Sequence, residues 1–136
     1  KINKKSKLLS IGKAEKIKSG KKIAILAFGP LLNIALKVAE ELNASVINMK
    51  FVKPIDEDII KKCVKNHDVI VTIEDNSILG GAGSAVLEII SKNNLKCKTL
   101  CLGIPDDFVE HGTQEEIYKL CGLDKNSIVK KIVKQL

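Results

Sequence analysis

Arginine and tryptophan are both missing from this 136-residue sequence, and its aromatics come to three phenylalanines and a single tyrosine. Without arginine there is no planar fork to read phosphates or guanine edges in pairs. Without a set of aromatics there is no platform on which single-stranded bases could stack. A nucleic-acid partner is therefore not expected. Histidine is scarce too (His67 and His111), and the four cysteines, Cys63, Cys97, Cys101 and Cys121, form no C-x-x-C pair. Zinc-site spacing is absent, and the cysteines read as small apolar residues of a reducing compartment. No apolar run approaches the ~20 residues that cross a bilayer, so no membrane partner is expected. The first residues also lack the apolar stretch of a signal peptide. The only methionine is Met49 and position 1 is lysine, so the expectation is a piece of a longer polypeptide.

Charge is present but unevenly placed. The formal net charge is +7, yet residues 1–22 alone hold nine lysines against one acid, Glu15, while residues 23–136 hold fourteen lysines against fifteen acids. The excess belongs to a leading arm, and the rest is close to neutral. Residues 1–10 read as a basic linker and residues 11–136 as one domain. That length buries roughly two-thirds of its unfolded surface.

Hydrophobic patterning gives the class. Residues 12–18 suggest a short edge strand, turned back at Ser19-Gly20 as a hairpin into the next strand. Ile23–Phe28 is a continuous apolar run, as in a strand covered on both faces. Gly29-Pro30 opens a helix with Leu32, Ala35, Leu36, Ala39 and Leu42 on one face and Asn43 at its end. Strand 46–49 leads to Asp56 as the cap of a second helix, whose acids come first and lysines last, matching the macrodipole. Strand 69–73, a helix after Gly80, strand 99–102, and helices begun by Thr113 and Asp124 complete the series. Alternation at this spacing specifies an α/β sandwich with a mostly parallel sheet, to which the leading hairpin would add an antiparallel edge strand.

Ligands in such sheets gather beyond the carboxyl ends of the strands. Lys53, Glu74, Asp75, and Gly80, Gly81, Gly83 and Ser84 should meet there. The glycine segment reads either as a tight structural turn or as contact to an anion or a partner; it lacks the third glycine of a dinucleotide fingerprint and the lysine of a P-loop. Glu74 and Asp75 could form an acid–base pair, but neighbours on a strand point to opposite faces, which favours capping and loop hydrogen bonds. Lys53 either meets a phosphate or is solvated. His67 should interact with the end of its helix, and His111 precedes a helix start. No nucleophile has a base beside it, so no catalytic constellation and no metal or cofactor ligand set is assigned.

As an ordered set, these segments resemble a known family. Leu26-Ala27-Phe28-Gly29, Phe51-Val52-Lys53-Pro54-Ile55-Asp56, Val71-Thr72-Ile73-Glu74-Asp75-Asn76, Gly80 to Val86, Gly103-Ile104-Pro105-Asp106 and Phe108-Val109-Glu110-His111-Gly112 together look like the C-terminal domain of the 1-deoxy-D-xylulose-5-phosphate synthases, transketolase relatives. The similarity runs from about residue 11 to 130. Asp75 departs from an expected glutamate and Ile55 from leucine. The resemblance implies a transketolase C-terminal-like domain of a homodimeric transferase, built as a three-layer α/β/α sandwich on a five-stranded, mostly parallel mixed sheet with one antiparallel edge strand. That enzyme uses thiamine diphosphate and magnesium to condense pyruvate with D-glyceraldehyde 3-phosphate, the first step of non-mevalonate isoprenoid synthesis. It implies that cofactor and metal sit in the preceding domains, which are this domain's partners, and that the fragment alone is inactive. It also implies a bacterial cytoplasm or a plastid-type organelle. The alternative is the C-terminal domain of another transketolase-like enzyme acting as an anion-binding regulatory module.

Overall fold

The structure, a computed structural model, describes residues 8–136; residues 1–7, most of the expected basic linker, lie outside the described residues. The elements run β1 (Glu15–Lys18), β2 (Ile23–Ala27), α1 (Leu32–Leu42), β3 (Ser45–Asn48), α2 (Glu57–Asn66), β4 (Val69–Ser77), α3 (Ala82–Lys92), β5 (Lys98–Ile104), α4 (Gln114–Leu120) and α5 (Lys125–Val133). The sheet order is β1-β3-β2-β4-β5, with β1 antiparallel to β3 and every other pair parallel.

Two apolar cores flank the sheet because strand side chains alternate between its faces. Ile23, Ile25, Val69, Val71 and Ile73 point toward α1 and α5, with Tyr118 of α4 in the same cluster. Ala24, Leu26, Ile47 and Ile70 point toward α2 and α3. β2 is buried along its whole length, which is why it reads as an unbroken apolar run. A single 3-10 turn at Gly29–Leu31, with Pro30 where no N–H is needed, feeds α1. Asn43 ends α1 in the left-handed conformation, φ 49°.

The edge strand is where the sequence reading is corrected. β1 forms no hairpin with β2; it lies on the far side of β3. Both edges of β2 are taken by parallel partners, so β1 pairs with the outer edge of β3 instead. The turn crosses beneath β3: the Gly20 amide donates to Ser45 Oγ (2.9 Å) and the Lys21 amide to the Asn43 carbonyl (2.8 Å). His67 closes α2 at this end. Its Nδ1 faces the Cys63 carbonyl and so donates (2.9 Å), while Nε2 lies 2.9 Å from Ser45 Oγ.

Other local signals act as read. Asp56 accepts from the Ile59 amide (3.2 Å) and from the Ala14 amide (3.0 Å), tying the incoming chain to α2. Thr113 and Glu116 form a capping box, and Asp124 caps α5. All four cysteines are free. Cys63 is buried, and burial pushes its thiol up to about 11; the other three are half-buried.

Candidate functional site

The chain leaves β2 toward β3 and leaves β4 toward β5, in opposite directions. A crevice opens between the carboxyl ends of β2 and β4, the switch point at which α/β sheets gather ligands. A cavity of about 250 Å³ lies there, lined among others by Phe28, Pro30, Val52, Glu74, Asn76 and Gly81.

Its organising residue is Glu74, only 2% exposed. Strand β4 does not stop where its apolar segment ends at Ile73. It continues through Glu74 to Ser77, held by pairing of Ser77 with Ile104 after an irregularity in the β4–β5 register. Alternation then sends Glu74 to the α3 face and Asp75 to the α4 face. Glu74 Oε2 accepts from the Ala82 amide (2.6 Å) and Oε1 from the Gly83 amide (2.8 Å). Helix α3 has Gly81 at its N-cap position, with no side-chain cap of its own and no acid in its first turn. A buried carboxylate from the neighbouring strand meets its free amides instead. Distances this short are those of charge-assisted bonds.

The glycines are what let the carboxylate in. A Cβ at Gly81 would collide with the Glu74 carboxylate. One at Gly83 would fall 2.6 Å from Thr72 Oγ1 and 3.2 Å from Glu74 Oε1, and one at Gly103 would fall 2.9 Å from the Asn76 carbonyl and 3.2 Å from Glu74 Cγ. Gly80 holds φ +70°, where side chains are disfavoured.

The remaining candidates divide. Asp75 Oδ2 accepts from the Tyr118 hydroxyl (2.9 Å), so Glu74 and Asp75 serve opposite faces as capping and loop bonds. Ser84 is half-buried and its amide bonds to the Gly81 carbonyl (3.1 Å). Lys53 is exposed, precedes Pro54 through a cis peptide, and does not line the cavity. His111 is exposed in a separate shallow depression with Glu110, Gly112 and Glu116. The structure thus gathers Glu74, Gly80, Gly81 and Gly83, and leaves Lys53 and His111 outside that group. Sequence reasoning missed Phe28 as the cavity wall and Tyr118 as the partner of Asp75; being the sole tyrosine was its one available signal. Among the described residues, no group of three or more His, Cys, Asp or Glu side chains is placed to hold a metal, and no helix is long and apolar enough to cross a membrane.

Comparison with known proteins agrees with this architecture. A family model described as transketolase, C-terminal domain, matches residues 12–128. The chain is 51% identical over 132 residues to the 1-deoxy-D-xylulose-5-phosphate synthase of Psychromonas ingrahamii, covering 97% of this chain and 21% of that protein. It is 50% identical over 122 residues to the enzyme of the same name from Pseudoalteromonas translucida, covering 90% and 20%. The chain therefore spans about a fifth of the length of these relatives. Among solved structures, a split-gene transketolase described as an inactive β4 tetramer superposes with a TM-score of 0.86 at 30% identity, over 93% of this chain and 43% of that one. The transketolase of Campylobacter jejuni superposes at 0.63 and 20% identity, over 90% of this chain and 18% of that one, a likeness of fold alone.

Two outcomes follow from the cap. Glu74→Gln presents one amide group to two N–H donors, leaving a buried donor unmatched, and should cost about 2–3 kcal/mol in urea unfolding. Gly83→Ala should also destabilise, by about 1–3 kcal/mol, although alanine is the better helix former, because the new methyl meets Thr72 and Glu74. A gain in stability from Gly83→Ala would contradict the packing.

Tyr118 gives a third outcome. Burial, then the hydrogen bond to Asp75 and its charge, push the phenol up from 10.0 to about 12. A raised folded value stabilises fully below pH 10 and is lost as the pH climbs toward 12. With no other tyrosine and no tryptophan, near-ultraviolet phenolate absorbance reads this one group. The midpoint should fall part of the way toward 10 in Asp75→Asn; an unchanged midpoint would remove the Asp75 contribution.

Proposed function

This chain belongs to the transketolase C-terminal domain family, and on that footing we propose that it is the C-terminal domain of a 1-deoxy-D-xylulose-5-phosphate synthase, supporting a catalytic centre built elsewhere in the enzyme. The observation that carries the proposal is identity of 51% across 97% of the chain with a protein of that name, matching about a fifth of that protein. The whole enzyme would condense pyruvate with D-glyceraldehyde 3-phosphate and release carbon dioxide, opening non-mevalonate isoprenoid synthesis. Both relatives quoted are bacterial, which favours the bacterial cytoplasm over a plastid-type organelle.

Thiamine diphosphate supplies the ylid for such chemistry when bound, and magnesium holds its diphosphate. The described residues do not fit that pair. The amides that could cradle a phosphate at the start of α3 are bonded to Glu74, and no metal-holding cluster stands among the described residues. Both groups are assigned to the preceding domains, and the whole enzyme to a homodimer. The role left to this chain is to pack against those domains. A regulatory anion at Gly81, Gly83, Ser84 and Lys53 would first have to displace Glu74 from the amides, and no observation favours that reading.

The test is a hybrid in which this chain replaces the matching C-terminal stretch of the Psychromonas ingrahamii enzyme. The hybrid should form 1-deoxy-D-xylulose 5-phosphate, and this chain alone should neither turn over substrate nor give calorimetric heat with thiamine diphosphate and magnesium. A folded hybrid without activity, or saturable cofactor binding by the chain alone, would overturn the proposal.

A further inference from the structure

The two ends of the sheet differ in a way that the fold itself does not require. Eleven large hydrophobic side chains are exposed among the described residues, and six of them, Leu8, Leu9, Ile11, Val52, Leu79 and Phe108, sit at the carboxyl end of the parallel strands. The loops of the opposite end, residues 19–22, 43–44, 66–68 and 93–97, carry none of the eleven. The other five are scattered: Ile17 on the edge strand, Leu87 on α3, Leu120 at the end of α4, Val133 at the end of α5, and Leu136 beside Gln135, whose carbonyl accepts from Lys98 at the opposite end of β5. Scattered apolar side chains are ordinary, whereas a gathering at one end marks an interaction site.

The same end holds the cavity between β2 and β4, and the loop that follows β5. That loop, residues 105–113, has no regular structure. All of it is exposed except Val109, and Phe108, one of three phenylalanines, is fully in water. Aromatic side chains near a concave apolar surface are the usual anchors of interfaces.

The occupant is indicated by where the chain enters. Glu15, the first residue of β1, pairs with Asn48 at the carboxyl end of β3. Just before it, Lys13 reaches Asp58 (3.4 Å), the Ala14 amide bonds to Asp56, and Gly12 lies against the Pro54 ring. Gly12 to Ala14 are therefore held at this end, and the chain before them enters there. The relatives are about five times as long and this chain matches a C-terminal domain model, so in a longer synthase the preceding polypeptide would be delivered to this end. A tether of a few residues sets an effective concentration in the millimolar range, which no free partner matches.

We infer that the carboxyl-end face, with Phe108 and Leu79 as anchors and the Phe28–Val52–Gly81 cavity as receptor, is the surface on which the preceding domains of the same polypeptide dock. The inference rests on the proposal that this chain is part of a longer synthase, and it names the face that proposal leaves open. Lys53 and His111 then flank an interface rather than a ligand.

Hydrogen exchange on the full-length hybrid tests it. The backbone of 106–112 has almost no internal hydrogen bonds, the Asp107 amide to the Pro105 carbonyl (2.8 Å) and the Phe108 amide to its neighbour Asp107 (2.8 Å) being those present. Undocked, this loop should exchange near the rate of a free peptide of its sequence; docked, it should exchange at least about tenfold more slowly. Phe108→Ser should return it toward the free rate, and Leu87→Ser on α3 should not. Free-peptide rates in the unmodified hybrid would overturn the inference. So would protection that rises with protein concentration, which would assign the face to a second copy. The two readings fail separately: lost turnover with a protected loop counts against the synthase assignment, and turnover with an unprotected loop counts against this face.

Discussion

A carboxylate removed from water must find donors, and Glu74 finds two backbone amides at the start of α3. Most of the local architecture depends on that arrangement. Strand β4 must run past its apolar segment to carry Glu74 to the right height. Gly81, Gly83 and Gly103 must lack side chains where the carboxylate and its strand pass. Helix α3, with no cap of its own, must start where the carboxylate waits. An unpaired buried charge would cost several kcal/mol, so each of these parts depends on the others. The glycine-rich turn at the switch point is thus explained by an anion that belongs to the chain itself.

That self-sufficiency shapes the functional reading. A helix N-terminus at the carboxyl end of a parallel sheet commonly receives a phosphate. In this chain the position is filled from within, while the surrounding rim is apolar and exposed. Filled amides beside exposed Val52, Leu79 and Phe108 suit a surface that meets protein better than one that meets a charged metabolite. At the opposite end the turns at Gly20, Ser45 and His67 are closed by their own bonds.

Much of this fold was legible from residues alone, because the signals are local. Continuous apolar runs marked the buried strands, helical spacing marked α1 and α3, and Asp56, Thr113 with Glu116, and Asp124 announced their helices through side chains within three residues of the amides they cap. The misread features depend on distant partners. Ser19-Gly20 has the chemistry of a hairpin turn, but whether β1 pairs with β2 or β3 depends on which edges the rest of the sheet has filled. The capping role of Glu74 was expected, but its amides stand eight and nine residues on, so no local pattern could name them. The polar end of β4 looked like a loop because its strand geometry is imposed by β5, not by its own composition. Alternation still separated Glu74 from Asp75 correctly, since period two holds wherever the strand continues.

The closure of this turn by its own carboxylate can be read most directly from the amide resonances of Ala82 and Gly83 while inorganic phosphate is added to millimolar concentrations. Two amides bonded to a buried carboxylate should stay in place and show no saturable movement. A saturable shift of both, weakened by Lys53→Ala, would mean that Glu74 yields the site to an external anion, and the turn would be a ligand site rather than a self-closed cap.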